Sequence, residues 1–208
     1  MSKITKILLI LSILPLVFFM TGVSVVYADT AGYTTIGAST AGNGTTNDCN
    51  DNGLLITIPS AGTMTKITAY VSNNLSTTNG NATLYAGSAG SRGAFIANTQ
   101  AGSVTTSFAW VDFTFAVPQA VSATTYWIEF SGQCGGGPGT NVSSIRYDTG
   151  GGSNTSYQEN DVLVPVYSTR QYSMYATYTP DAEGQTSHAN VVVNGNLLIG
   201  NNANVVIQ

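Results

Sequence analysis

Charge is what this chain has least of. Only 8% of its 208 residues are Asp, Glu, Lys or Arg, and it carries one histidine, two cysteines and two tryptophans. Beyond the first 28 residues Lys66 is the sole lysine, and four basic residues face ten acidic ones, a net charge of −6. Binding to a phosphate backbone rests on clustered Lys and Arg, so nucleic acid is excluded as a partner. His188 has no Ser or Cys motif beside it, which leaves it a solvated loop residue rather than a general base. Neither cysteine has the Cys-x-x-Cys spacing of a redox or metal site. The glycine runs at 135–137 and 150–152 lack the strand-to-helix context of a phosphate loop.

Long apolar runs are confined to the N-terminus. Lys3 and Lys6 precede the apolar stretch Ile7 to Met20, and Val26-Tyr27-Ala28 puts small side chains where a signal peptidase cuts. An uncut membrane anchor over Ile7 to Val26 is the competing reading, since about 20 apolar residues span a bilayer. Pro15 and the diluting Thr21, Gly22 and Ser24 favour cleavage, so residues 1–28 are expected to be an export signal and the mature chain to start at Asp29. The expected location is extracellular or at the cell surface, with no membrane attachment after cleavage. In an oxidising compartment Cys49 and Cys134 pair naturally as one disulfide, closing a loop of 85 residues and stabilising the fold by roughly 4 kcal/mol on the chain-entropy model. Asn43, Asn74, Asn81, Asn141 and Asn154 open Asn-x-Ser/Thr sequons and are glycosylation candidates in a host that has that machinery.

What fills the chain instead of charge is Gly, Ser, Thr and Asn between Tyr, Val, Ile and Phe, the composition of short strands joined by turns. From Tyr33 to Thr179 apolar residues alternate with polar ones at period two. The clearest strands are Thr65 to Ser72, Asn81 to Ala86, Ala109 to Val117, Thr125 to Ser131, Ser144 to Tyr147 and Tyr172 to Thr179; weaker ones are Tyr33 to Ala38, Leu54 to Ile58 and Ala94 to Asn98. Around Trp110 the pattern puts Phe113 and Phe115 on one face and Trp110, Asp112 and Thr114 on the other. Likewise Tyr126, Ile128 and Phe130 oppose Trp127 and Glu129. The expected fold is an all-β, antiparallel, jelly-roll-like sandwich over residues 29–180.

The order of Gly62-Thr63-Met64-Thr65-Lys66-Ile67, Asn81-Ala82-Thr83-Leu84-Tyr85-Ala86, Trp110-Val111-Asp112-Phe113-Thr114-Phe115 and Tyr126-Trp127-Ile128-Glu129-Phe130 resembles a secreted β-sandwich domain of bacterial and archaeal surface proteins, of the choice-of-anchor-like kind. Arg146-Tyr147-Asp148 and Arg170 to Ala176 fit the same pattern, so the resemblance covers Tyr33 to Tyr178. It implies a module of exported proteins and no catalytic residues. The expected C-terminal sorting signal of such proteins is not recognisable in these 208 residues.

After Pro180 the character changes. A polar connector, Asp181 to His188, leads to Val191-Val192-Val193, then Asn194-Gly195, then Leu197-Leu198-Ile199, a hairpin signature because Asn-Gly accepts the positive φ of a type I′ turn. Ala189 to Val193 recurs at Ala203 to Ile207, with Val205, Val206 and Ile207 matching the first triplet 14 residues on, like rungs opening a β-solenoid. Residues 181–208 therefore form either a hairpin that packs back on the sandwich or an element of self-association by strand addition.

Candidate chemistry is sparse. Asp48-Cys49-Asn50-Asp51-Asn52-Gly53 reproduces the Asp-x-Asn-x-Asn-Gly opening of a calcium loop, but Pro59 occupies the position of the bidentate Glu, which excludes an EF-hand and leaves a loose structural calcium site using Asp48, Asn50 and Asp51 or an Asx-rich turn. No other cofactor is implied. Asp112, Glu129, Asp148, Glu159, Asp161 and Asp181 supply enough carboxylates for a glycosidase pair by number alone, without the compact acidic strand motif of jelly-roll glucanases. Trp110 and Trp127 are the candidates for stacking on a sugar ring, unless they are core. The expectation is a secreted, non-enzymatic structural or adhesive module that self-associates or meets other surface proteins, with a lectin-like, glycan-binding module as the alternative.

Overall fold

A computed structural model describes residues 27–42, 51–132, 143–159 and 165–181. The export signal, both cysteines, Asn43, Asn141, Asp48, Asn50, His188 and the C-terminal repeat lie outside the described residues, apart from Tyr27, Ala28 and Asp181 at their margins. Among the described residues fourteen strands form. In chain order they are β1 (Asp29–Tyr33), β2 (Ser39–Gly42), β3 (Asp51–Thr57), β4 (Gly62–Asn73), β5 (Thr78–Ser88), β6 (Ser91–Asn98) and β7 (Gly102–Val104). They continue as β8 (Ala109–Val121), β9 (Thr125–Ser131), β10 (Ser143–Thr149), β11 (Ser156–Glu159), β12 (Pro165–Ser168), β13 (Arg170–Tyr172) and β14 (Met174–Pro180).

Every pairing is antiparallel, and the strands make two packed sheets, a sandwich in the broad sense. Sheet A runs β1-β14-β4-β10-β13, with β8 on β4 and β2 on β10; sheet B runs β12-β11-β3-β9-β5-β6, with β7 on β5. Period-two patterning explains the layering: Ile67, Ala69, Val71, Phe113, Phe115, Met174, Ala176 and Tyr178 of sheet A are buried against Leu54, Ile56, Leu84, Tyr126, Ile128 and Phe130 of sheet B. Phe113 and Phe130 meet in this core with ring centroids 5.6 Å apart.

The strand expected over Tyr33 to Ala38 is instead an arch between β1 and β2. Asp148 holds it from both ends, accepting the Tyr33 hydroxyl at 2.6 Å and the Ala38 N–H at 2.8 Å, while Gly37 donates to the Ser173 hydroxyl at 2.8 Å. Gly37 lies so close to the Tyr147 backbone that a Cβ there would overlap it. The last expected strand is also divided. Ser173 sits where three strands meet, its carbonyl accepting Tyr70 N–H and its N–H donating to the Arg146 carbonyl, each at 2.8 Å, so β13 pairs with β10 and β14 with β4. β2, β7, β11 and β12 were not among the expected strands; each has three or four residues, too few for a periodic pattern to show.

Removing the Phe113 ring should cost about 3–5 kcal/mol, the usual range for truncating a buried aromatic. Val117, 69% exposed on the same strand, should tolerate alanine within about 0.5 kcal/mol. Denaturant unfolding of Phe113→Ala and Val117→Ala checks the contrast, and equal losses would refute the burial of Phe113 against the exposure of Val117, which shares its parity but lies where the β4–β8 register shifts.

Candidate functional site

The two outward faces differ. On sheet B, register places Tyr157 opposite Gly53, Gly53 opposite Glu129 and Glu129 opposite Thr83, one row across four strands. Gly53 is needed there because the Tyr157 ring lies directly on it, where any Cβ would collide. Trp127, on the same face of β9, is fully buried: Tyr157 and Tyr167 pack at 5.0 and 5.8 Å, and its indole N–H lies 3.1 Å from the carbonyls of Ser88 and Ser91. Its ring is spent on packing and offers no face to a ligand.

Arg92, from β6, crosses this layer. Its guanidinium makes a forked ion pair with Glu159, reaches Glu129 at 3.0 Å, and lies 4.6 Å from the centre of the Tyr85 ring. Tyr157 and Tyr85 donate their hydroxyls to Glu129 as well. Both glutamates are buried, so one arginine serves two carboxylates taken out of water. Burial, reinforced by the nearby charges of Asp51 and Glu159, pushes Glu129 up to about 7 against the opposing pull of Tyr157 and Arg92. Burial and the Glu129 carboxylate likewise push the Tyr85 phenol up to about 12. Glu129 is thus an interior acid held by three side chains, Arg92, Tyr157 and Tyr85.

On sheet A the outward side chains of β4, β8 and β14, with Phe108 just before β8, form an uninterrupted aromatic strip. Trp110 is directly opposite Tyr70 and touches Tyr70 and Tyr175 at centroid distances of 5.2 and 5.4 Å; Phe108 stacks on Tyr70 at 5.7 Å, with the Arg146 guanidinium 4.7 Å from its ring. All four rings are half-buried. Beside them Asp112 accepts Lys66 Nζ at 2.6 Å and Thr68 Oγ1 at 2.7 Å. Burial would raise the Asp112 carboxyl, but these two hydrogen bonds and the lysine charge outweigh it and hold the group below the ordinary carboxylate value.

The structure therefore separates residues that the sequence grouped by type. Trp110 and Trp127 lie on different sheets, one on the strip and one beneath tyrosines, and Asp112 and Glu129 are likewise on opposite sides of the sandwich. Asp51, of the calcium pattern, opens β3 opposite Glu159. Asn74 is exposed after β4, and Asn154 is exposed in a turn at φ 57°, whereas Asn81 lies half-buried within β5 opposite Ser131. Tyr70, Phe108 and Tyr175 on the strip, and Arg92 and Tyr157 in the cluster, are not singled out by the sequence, and Glu159 enters there only as one of six candidate carboxylates. The one available signal was that any charged residue is conspicuous at 8%. Comparisons with protein-family models and with curated proteins give no match to this chain, so its functional reading rests on these two faces.

Because Glu129 ionises near 4.5 when unfolded and near 7 when folded, its contribution to stability is complete below about pH 4.5 and is lost as pH rises through 7. Melting curves from pH 4.5 to 8 should show the wild type losing stability relative to Glu129→Gln across that window. Parallel curves would contradict the burial of this acid.

Proposed function

We propose that the chain is a secreted, non-enzymatic cell-surface module, structural or adhesive, that works by contact and joins neighbours through its C-terminal β-segment. Jelly-roll strand order and kinship with choice-of-anchor-like domains are parts of the same proposal. The observation that carries it is at the sheet edges. The outermost strands β8, β12 and β6 expose Val117, Val166 and Phe95 at 69%, 69% and 58%, and an edge strand with unpaired backbone and apolar side chains accepts another strand. Val191 to Val193, Leu197 to Ile199 and Val205 to Ile207 supply the complementary strands from a neighbouring copy.

A second reading, glycan binding, is favoured by the aromatic strip on sheet A. The two readings share one architecture: assembly uses edges, and ligand contact uses a face.

The full secreted chain should form oligomers or filaments by light scattering and negative-stain microscopy, and the same chain ending at Pro180, which keeps all fourteen strands, should not. Lysine at Val117 or Val166 should weaken assembly of the full chain if that edge is the acceptor. A full chain that stays monomeric at high concentration refutes the assembly mechanism.

A further inference from the structure

We infer that the outer face of sheet A is a binding platform for a neutral saccharide chain, with Trp110 at its centre and Tyr70, Tyr175 and Phe108 extending it. The inference deepens the reading of the chain as a surface contact module, and depends on that reading, but needs neither the tail nor the sheet edges.

The platform follows from register. Alternation sends Trp110 and Asp112 outward from β8, and antiparallel pairing sets them against Tyr70 and Thr68 of β4; on the far side of β4, Tyr175 of β14 is opposite Thr68. Thr68 is small, so the indole of Trp110 and the ring of Tyr175 meet over it at 5.4 Å. Successive centroid spacings of 5.4, 5.2 and 5.7 Å run from Tyr175 through Trp110 and Tyr70 to Phe108. One row further along β4, the outward positions are Lys66, Thr114 and Thr177, the polar side chains expected on a solvated sheet face. The aromatics are thus gathered at one place rather than scattered, and among the described residues no strand covers them.

The chemistry of the platform selects its ligand. A π face is electron-rich and takes the C–H face of a pyranose, while a few fixed polar groups at the margin read hydroxyls. Asp112 is such a group: Lys66 and Thr68 fix its carboxylate, and its side chain is 51% exposed, leaving acceptor capacity toward solvent. Lys66 balances its charge, and the Arg146 guanidinium at the far end is engaged by the Phe108 ring and the Ala38 carbonyl, so the Trp110 centre carries no net charge and favours a neutral chain over an anionic one. A nucleic acid would need the cluster of basic residues that this chain lacks.

Electrophoresis through native gels containing a soluble β-glucan, galactomannan or starch tests the platform. Retardation in at least one gel is expected, weakened at least about tenfold in Trp110→Ala and in Tyr175→Ala, since a central aromatic anchor carries much of such an affinity. Both variants should keep the wild-type circular dichroism, because neither ring belongs to the inter-sheet core. Phe95→Ala, which removes an exposed ring from sheet B, should leave retardation unchanged. Free migration of the wild type in all three gels, or equal loss in Phe95→Ala, overturns the inference. Assembly seen by light scattering despite free migration would overturn the saccharide platform alone, whereas failure of both measurements would remove the contact-module reading itself.

Discussion

The burial of β9 on both faces is the constraint on which the rest of the molecule depends. A strand in a two-layer sandwich ordinarily buries one face and wets the other. β9 instead buries every residue from Tyr126 to Phe130. Tyr126, Ile128 and Phe130 pack toward sheet A; Trp127 and Glu129 point the other way and are buried too, because the chain folds a second thin layer of Tyr157, Tyr167, Tyr85 and Arg92 over them. Placing a carboxylate in that layer requires compensation, and Arg92 supplies it by crossing from β6. Gly53 is the complementary concession, a strand glycine shielded by a neighbouring ring.

That closure makes the faces of the sandwich unequal. Sheet B turns Trp127, Tyr157, Glu129 and Glu159 into an interior beneath half-buried Tyr85 and Tyr167, where their hydrogen bonds and ion pairs are satisfied by one another, and leaves only Phe95 of its edge strand β6 exposed among the large rings of that sheet. Sheet A leaves its outward aromatics on the surface beside a single ion pair. With so few charges in the chain, Thr, Ser and Asn supply most of its polar groups, and a half-buried aromatic strip stands out against that background. The edges add a third kind of surface, exposed apolar side chains on the outermost strands. One closed face, one aromatic face and exposed apolar side chains at the edges are the features on which the proposed contact role rests.

Much of this was legible in the sequence wherever alternation was long enough to count. The β8 and β9 segments showed their faces directly, and Phe113, Phe115, Ile128 and Phe130 occupy the core positions that period two assigns them. What alternation cannot show is which outward face another part of the chain will cover. Trp110 and Trp127 look alike locally; only the arrival of Tyr157 and Tyr167, some 30 or 40 positions later, separates them. Arg92 and Glu159 are 67 residues apart, so no local pattern joins them. The Tyr33 to Ala38 arch was hidden for the same reason, since its shape is set by Asp148 and Ser173 from distant strands. The disulfide and the C-terminal repeat are sequence expectations that lie outside the described residues.

The inequality of the two faces has a direct optical test, because Trp110 and Trp127 are the only tryptophans. Acrylamide quenching of fluorescence in Trp127→Phe reports Trp110 alone, and in Trp110→Phe it reports Trp127 alone. The account predicts efficient quenching of Trp110 and near-complete protection of Trp127 in the folded protein, with the difference vanishing on unfolding. Equal quenching of the two in the folded state would contradict it, for then sheet B would be as open as sheet A.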